Sequence, residues 1–185
     1  MDVLFVNPGN SKQIYQGLAD DYSAIETPTW SLLLAQSCRS VGYSVGILDV
    51  LAERLTDEQA TERISTINPK FICFVVYGQN PNSGTVNMSG TVKLAKAIKD
   101  ANIKTPIGLV GSHVQALPIE VLETEKDIDI IFTNEGVYAL WNLLSKDVTD
   151  IDQLKKVKGI GFRINDAPHL TLPEKIVPQD KMDEH

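Results

Sequence analysis

The sequence has few of the residues from which metal and redox sites are built. Its 185 residues include two cysteines and three histidines. No CxxC, CxxxCxxC or HExxH occurs, so the chain has no recognisable zinc or iron–sulfur motif of its own. Cys38 and Cys73 lie far apart in apolar contexts and read as buried, reduced thiols. Positive charge is also scarce: 17 Lys and Arg stand against 24 Asp and Glu, for a net charge of -7. Apart from a small Lys155-Lys156-Lys158 cluster the basic residues are scattered, and nucleic acid is excluded as a partner because it demands a concentrated basic face. The longest apolar run, Phe71 to Tyr77, is far too short to cross a membrane. Met1-Asp2-Val3-Leu4 enters a strand-like run with no basic n-region, so no signal peptide is expected and a cytoplasmic location is the default.

Familiar nucleotide signatures are missing as well. There is no GxGxxG after the first strand and no GxxxxGK[ST]. A phosphorelay receiver needs acidic residues at its strand ends, whereas the first strand here ends in Asn7 and the third in Tyr77.

What is present is an ordinary globular composition, 43% hydrophobic and 22% charged, of a size that suits one core. Short apolar runs alternate with longer amphipathic ones. Val3–Val6, Val45–Leu48, Phe71–Tyr77, Ile107–Val110 and Ile128–Phe132 read as strands. The third is apolar throughout, as a central parallel strand covered on both faces would be. Helices are expected after Thr27-Pro28, read as N-cap and first helical position, and from Thr56, where Gln59 completes a capping box. Others are expected over about 86–101, near 119–122 and over 137–144. Trp30, Leu33, Leu34, Cys38 and Val41 follow helical spacing, and Trp30 and Trp141 read as core. Residues 10–27 form a long polar loop holding Tyr15, Gly17 and Tyr22.

The pattern therefore predicts an α/β fold: a doubly wound, Rossmann-like open parallel sheet of five strands with helices on both faces and right-handed crossovers, spanning 1–150. Residues 151–185 change character. A short β-hairpin around Asn165-Asp166 is expected, then a polar linker or frayed end from Pro173. In such a fold ligands bind beyond the carboxyl ends of the strands. That rule selects the loops at Asn7, Asp49, Tyr77, Gly111 and Thr133, which are rich in small and amide residues. Three roles are open to His113: cofactor ligand, hydrogen-bond donor to a cofactor, or loop stabiliser. Asp49 also suits a turn cap, and Glu135 the favourable first turn of a helix.

Several stretches, in this order and spacing, carry a resemblance. They are Val3-Leu4-Phe5-Val6-Asn7-Pro8; Thr27-Pro28 with Gly42-Tyr43-Ser44-Val45 and Asp49; Val75-Val76-Tyr77-Gly78-Gln79-Asn80-Pro81; Gly111-Ser112-His113; Asn134-Glu135-Gly136; and Gly159-Ile160-Gly161-Phe162-Arg163. Together, over residues 2–178, they resemble the N-terminal cobalamin-binding domain of B12-dependent radical SAM enzymes. Gly111-Ser112-His113 sits where that family has Gly-Gly-x-His, and Asn134-Glu135-Gly136 where it has Gly-Glu-Gly.

The resemblance implies a cobalamin-binding module of a radical SAM methyltransferase. Asn7, Pro8 and Gly9 would shape the first loop against the cofactor, with Asp49 beside them. Tyr77, Gly78 and Gln79 would meet its tail or ring edge. Gly111, Ser112 and His113 would line the nucleotide pocket, and Glu135 and Gly136 its far wall. Better-known cobalamin domains carry Asp-x-His-x-x-Gly after the first strand, but this chain reads Asn7-Pro8-Gly9-Asn10-Ser11-Lys12. The resemblance thus implies base-off binding with no protein histidine on cobalt. No catalytic residue and no metal ligand are expected in this chain. The 4Fe–4S cluster and S-adenosylmethionine would belong to a radical SAM domain in cis, toward which 151–185 would lead. The chain would then be either an excised domain or a stand-alone one, and a monomer when isolated. One alternative is a docking module of the same fold whose cofactor pocket has decayed. Another is a small enzyme acting on a nucleotide or sugar phosphate.

Overall fold

The structure is a computed structural model that describes residues 1–9, 27–77 and 81–184. Residues 10–26 of the predicted polar loop 10–27, and Gly78 and Gln79 among the expected site residues, lie outside the described residues. In chain order the elements are β1 (Val3–Asn7), α1 (Thr29–Ser40), β2 (Val45–Asp49), α2 (Asp57–Ile67), β3 (Phe71–Val76), α3 (Pro81–Asp100), β4 (Ile107–Gly111), α4 (Ser112–Ala116), α5 (Pro118–Thr124), β5 (Ile130–Phe132), α6 (Val137–Leu144), α7 (Ile151–Leu154), β6 (Ile160–Ile164) and β7 (Ala167–Leu170). A short 3-10 turn, Gln179–Glu184, follows.

The described strands form one sheet in the order β2-β1-β3-β4-β5-β6-β7. The first five are parallel, and β6 and β7 are antiparallel to their neighbours. The hairpin forms where expected, but it prolongs the main sheet instead of standing beside it: Ile160 pairs with Phe132 and Phe162 with Ile130. The reason is burial, because Ile160 and Phe162 join the same apolar cluster as Phe132. Asn165 and Asp166 both take positive φ, 50° and 64°, as a two-residue hairpin turn matched to strand twist requires.

The period of two along each strand divides the core. Leu4, Val6, Ile72, Phe74 and Val76 face one side, with Ala60 and Ile64 of α2, Leu94 and Ile98 of α3, Val114 of α4 and Leu122 of α5. Val3, Phe5, Phe71, Cys73 and Val75 face the other, with Leu34 and Cys38 of α1 and Leu140 and Leu143 of α6. Every residue of β3 is buried, as its unbroken apolar run predicts. Both cysteines are buried and free. Burial pushes the Cys38 thiol up to about 12, so it acts as a small apolar side chain.

Local signals set most boundaries. Thr56 Oγ1 accepts from the Gln59 N–H at 3.2 Å while Gln59 Oε1 accepts from the Thr56 N–H at 3.0 Å, the expected capping box. Four features differ from expectation. Helix α1 begins at Thr29, with Pro28 rather than Thr27 at the cap. Helix α3 begins at Pro81, about five residues early. Strand β5 begins at Ile130, because Asp129 turns back to accept from the Ile107 N–H. Residues 112–116 and 151–154 form short helices that no apolar period announces.

The largest correction concerns α1. It buries Ser31, Leu34, Ala35, Ser37 and Cys38, and leaves Trp30 46%, Leu33 56% and Val41 45% exposed. Trp30 is therefore not core. The helix is turned by its neighbour α6: the Trp141 indole N–H donates to Ser37 Oγ at 3.0 Å, drawing that serine inward.

Candidate functional site

A parallel sheet in this order reverses direction between β1 and β3, since the chain steps from β1 to β2 on one side and then returns to β3 on the other. The crevice beyond the strand ends at such a switch point is where ligands bind. The described ones among the predicted site residues stand at the strand carboxyl ends in three groups.

The first group is a tied corner. Asn7 Nδ2 donates to Asp49 Oδ1 at 3.0 Å, and the same oxygen accepts from the Ala52 N–H at 3.0 Å. The Asn7 carbonyl accepts from the Val50 N–H at 3.0 Å. Pro8 is buried, and a Cβ on Gly9 would meet the Leu51 backbone at an ordinary 3.5 Å. Asp49 caps the turn after β2 and also fixes the end of β1, so it orients the first loop.

The second group centres on Tyr77, directly after β3. Gln115 Nε2 donates to its hydroxyl at 2.6 Å, and the Trp30 ring lies 4.6 Å from its ring at a tilt of 31°. Burial pushes the Tyr77 phenol above its ordinary range; the Gln115 bond opposes that push and the nearby Glu135 carboxylate adds to it. The phenol therefore stays neutral and serves as an acceptor and an apolar wall. Beside it, Gly111 ends β4. A Cβ there would lie 2.2 Å from the Val76 carbonyl oxygen, so the close approach of β3 to β4 requires glycine. Ser112 and His113 open α4, both half-buried. The Ser112 Oγ is buried and has no hydrogen-bond partner among the described residues. Leaving such a hydroxyl unpaired costs about 1–3 kcal/mol.

The third group is the β5–α6 turn. Asn134 Oδ1 accepts from the Gly136 N–H at 3.0 Å, and its Nδ2 donates to the Glu174 carbonyl at 3.1 Å. Glu135 Oε1 accepts from the Val177 N–H at 2.8 Å. The turn thus holds the chain's own C-terminal segment. Pro173–Pro178, expected as a linker or frayed end, lies against the body of the fold, and Val177 is 9% exposed.

Sequence reasoning missed Trp30, Gln115 and the grip of Asn134. The signal for Trp30 was available: helices of a parallel sheet begin at the strand carboxyl ends, so a first-turn residue borders the crevice. Gln115 has no signal until α4 is placed. Among the described residues no three His, Cys, Asp or Glu side chains come together as a metal site would need, and no described helix is long and apolar enough to cross a membrane.

The fold has relatives among solved structures. TsrM, a radical S-adenosylmethionine methyltransferase from Kitasatospora setae with cobalamin and a [4Fe-4S] cluster bound, matches with a TM-score of 0.71 and 14% identity over 97% of this chain. OxsB, a cobalamin-dependent S-adenosylmethionine radical enzyme with aqua-cobalamin and S-adenosylmethionine bound, matches with a TM-score of 0.67 and 16% identity over 95% of this chain. The chain spans 30% of the TsrM chain and 22% of the OxsB chain. At these identities the likeness establishes the fold. No curated protein sequence matches the chain. The family model described as "B12 binding domain" matches residues 15–144. With the switch-point crevice and the match running through most of the sequence, the chain belongs to the B12-binding domain family.

Proposed function

We propose that the chain is the cobalamin-binding module of a radical SAM methyltransferase, and that it holds the cofactor base-off with no histidine of its own on cobalt. The observation that carries this reading is the buried Ser112 hydroxyl, without a partner among the described residues, beside Gly111 at the end of β4. A donor left unsatisfied at a ligand-binding edge fits a group that brings its own acceptors, and cobalamin brings amides, a ribose and a phosphodiester. The wall around it is partly aromatic and carries the Glu135 carboxylate near Tyr77, which suits that group better than a highly charged phosphate ester. The first loop, Asn7-Pro8-Gly9-Asn10-Ser11-Lys12, has no histidine to offer cobalt.

In this reading Ser112 and His113 hold the nucleotide tail, with Gly111 giving it backbone-close access. Tyr77 provides a flat apolar wall, kept in place by Gln115 and Trp30. Asn7 and Asp49 set the angle of the Pro8-Gly9 loop. Glu135 and Gly136 close the far side. Bound cobalamin would supply the methyl-transfer chemistry of its cobalt. The chain's own work is to bind, orient and exclude water. The iron–sulfur cluster and S-adenosylmethionine would belong to a radical SAM domain in cis.

The test is an ultraviolet–visible titration with hydroxocobalamin and methylcobalamin, followed by desalting. Retained colour with base-off bands is expected. Tyr77→Ala should lose more cofactor than His113→Ala, and His113→Ala should leave the band positions unchanged. A wild-type chain that stays colourless, both alone and joined to a radical SAM domain, would overturn the reading in favour of a docking module without cofactor. Label transfer from S-adenosylmethionine in the joined protein tests the methyltransferase assignment.

A further inference from the structure

The β5–α6 turn does more than border the crevice. Its Asn134 stands where the resembling family has glycine, and that side chain is engaged at both ends: the oxygen closes the turn on Gly136, and the amide nitrogen holds the Glu174 carbonyl. The next residue, Glu135, accepts from the Val177 N–H. From α6, Asn142 Nδ2 donates to Glu174 Oε2 at 3.2 Å, and the Lys175 ammonium sits 5.0 Å from the centre of the Tyr138 ring. Upstream, the Gly159 N–H donates to the Leu172 carbonyl at 2.8 Å. Gly159 has φ +76°, and a Cβ there would lie 2.7 Å from Glu174 Cβ, so the strap passes where only glycine leaves room. Prolines 173 and 178 bound the segment and stiffen it.

We infer that Asn134 and Glu135 are positioning residues that fasten residues 174–177 across the β5–α6 turn, making this strap a fixed wall of the strand-end face. The strap has little apolar burial of its own: Leu172 and Ile176 are 72% and 66% exposed, and Val177 alone points inward. Its place therefore depends on the hydrogen bonds, and Glu135, three residues beyond the end of β5, ties it to the strand-end face. The chain leaving at Pro178 starts from a point set by this turn. That the strap walls a cobalamin site rests on the function proposed above; that it is fastened does not.

Two arms separate these claims. The first is amide hydrogen exchange on the full chain without cofactor. Val177 should be protected in the wild type. It should exchange about tenfold faster in Glu135→Ala, and faster again in Asn134→Ala/Glu135→Ala, while β3 amides are unchanged. Glu135→Gln keeps an acceptor oxygen and should restore protection. An unprotected Val177 in the wild type, or equal protection in Glu135→Ala, overturns the fastening, and the wild-type measurement stands even if a variant fails to fold. The second arm is hydroxocobalamin retention. A several-fold loss in Glu135→Ala, rescued by Glu135→Gln, supports the wall; faster exchange with undiminished retention overturns it. A wild type that retains no cobalamin refutes the proposed function and leaves the first arm decisive for the strap.

Discussion

The two ends of the sheet are built differently. Where the parallel strands begin, polar groups are tied across neighbours. The Asp2 carboxylate accepts from the Ser44 N–H at 2.8 Å, the Ser44 hydroxyl at 2.7 Å and the Lys70 ammonium at 2.9 Å, joining the entries of β1, β2 and β3. Asp129 Oδ2 accepts from the Ile107 N–H and the Lys99 ammonium, each at 2.8 Å, joining the entries of β4 and β5. Arg163, at the far end of β6, donates to the carbonyls of Leu122, Lys126 and Ile128, so one guanidinium binds β6 to the end of α5 and the approach to β5. Where the strands end, amides and rings are common, and the buried Ser112 hydroxyl has no partner among the described residues. The lower end is a closed network that fixes register. The upper end leaves the Ser112 hydroxyl unmatched among the described residues.

The energetics agree with that division. Lys70 is 79% exposed on its side chain, so its pair with Asp2 contributes at most about 1 kcal/mol. Each fully buried Phe or Ile of the core contributes about 2–3 kcal/mol before entropy is counted. Apolar burial on both faces holds the sheet together, and the lower network chooses the register of its strands.

The largest effect should come from Arg163. Arg163→Ala leaves three carbonyls without their charged donor, and we expect a loss of about 2–3 kcal/mol in chemical denaturation. Arg163→Lys should recover part of it, because an ammonium cannot span the same fork. A loss below about 0.5 kcal/mol would mean that the lower network is decorative.

Ser112→Ala should act in the opposite sense. Removing the unpaired hydroxyl should stabilise the cofactor-free protein by about 1 kcal/mol and lower hydroxocobalamin retention. Destabilisation instead would mean that the hydroxyl already has a partner, and the contrast between the two ends would fail.

The smallest effect concerns acid. Lys70 and Ser44 hold the Asp2 carboxyl well below the usual carboxylate range. A depressed folded value adds stability that is full above about pH 4, where the unfolded carboxyl is also ionised, and is lost as pH falls toward the folded value. Wild-type melting temperature should therefore drop more steeply below about pH 4 than that of Asp2→Asn. Parallel curves would remove Asp2 from the lower network.

The strands, most helix boundaries and the hairpin turn were legible in the sequence. Each rests on local chemistry: the unbroken apolar run of Phe71–Val76, the Thr56–Gln59 box, and the Asn165-Asp166 pair that tolerates positive φ. The loops of the site were legible for the same reason, since strand ends can be counted along the chain. What failed was rotation. Helical spacing placed Trp30 and Leu33 with Leu34, but the angle of α1 about its axis was decided by Trp141, 104 positions from Ser37.

The sequence by itself determined the α/β class, the position of the strand-end loops and their richness in amide and glycine residues. These follow from periodicity and residue type, which act over a few positions. Tertiary structure alone decided that β6 and β7 extend the main sheet, that Trp30 stacks on Tyr77, and that Ser112 finds no partner among the described residues. It also decided that Asn134 and Glu135 grip a segment about 40 residues downstream. Each of these depends on two distant stretches meeting in one register, and no local pattern encodes such a meeting.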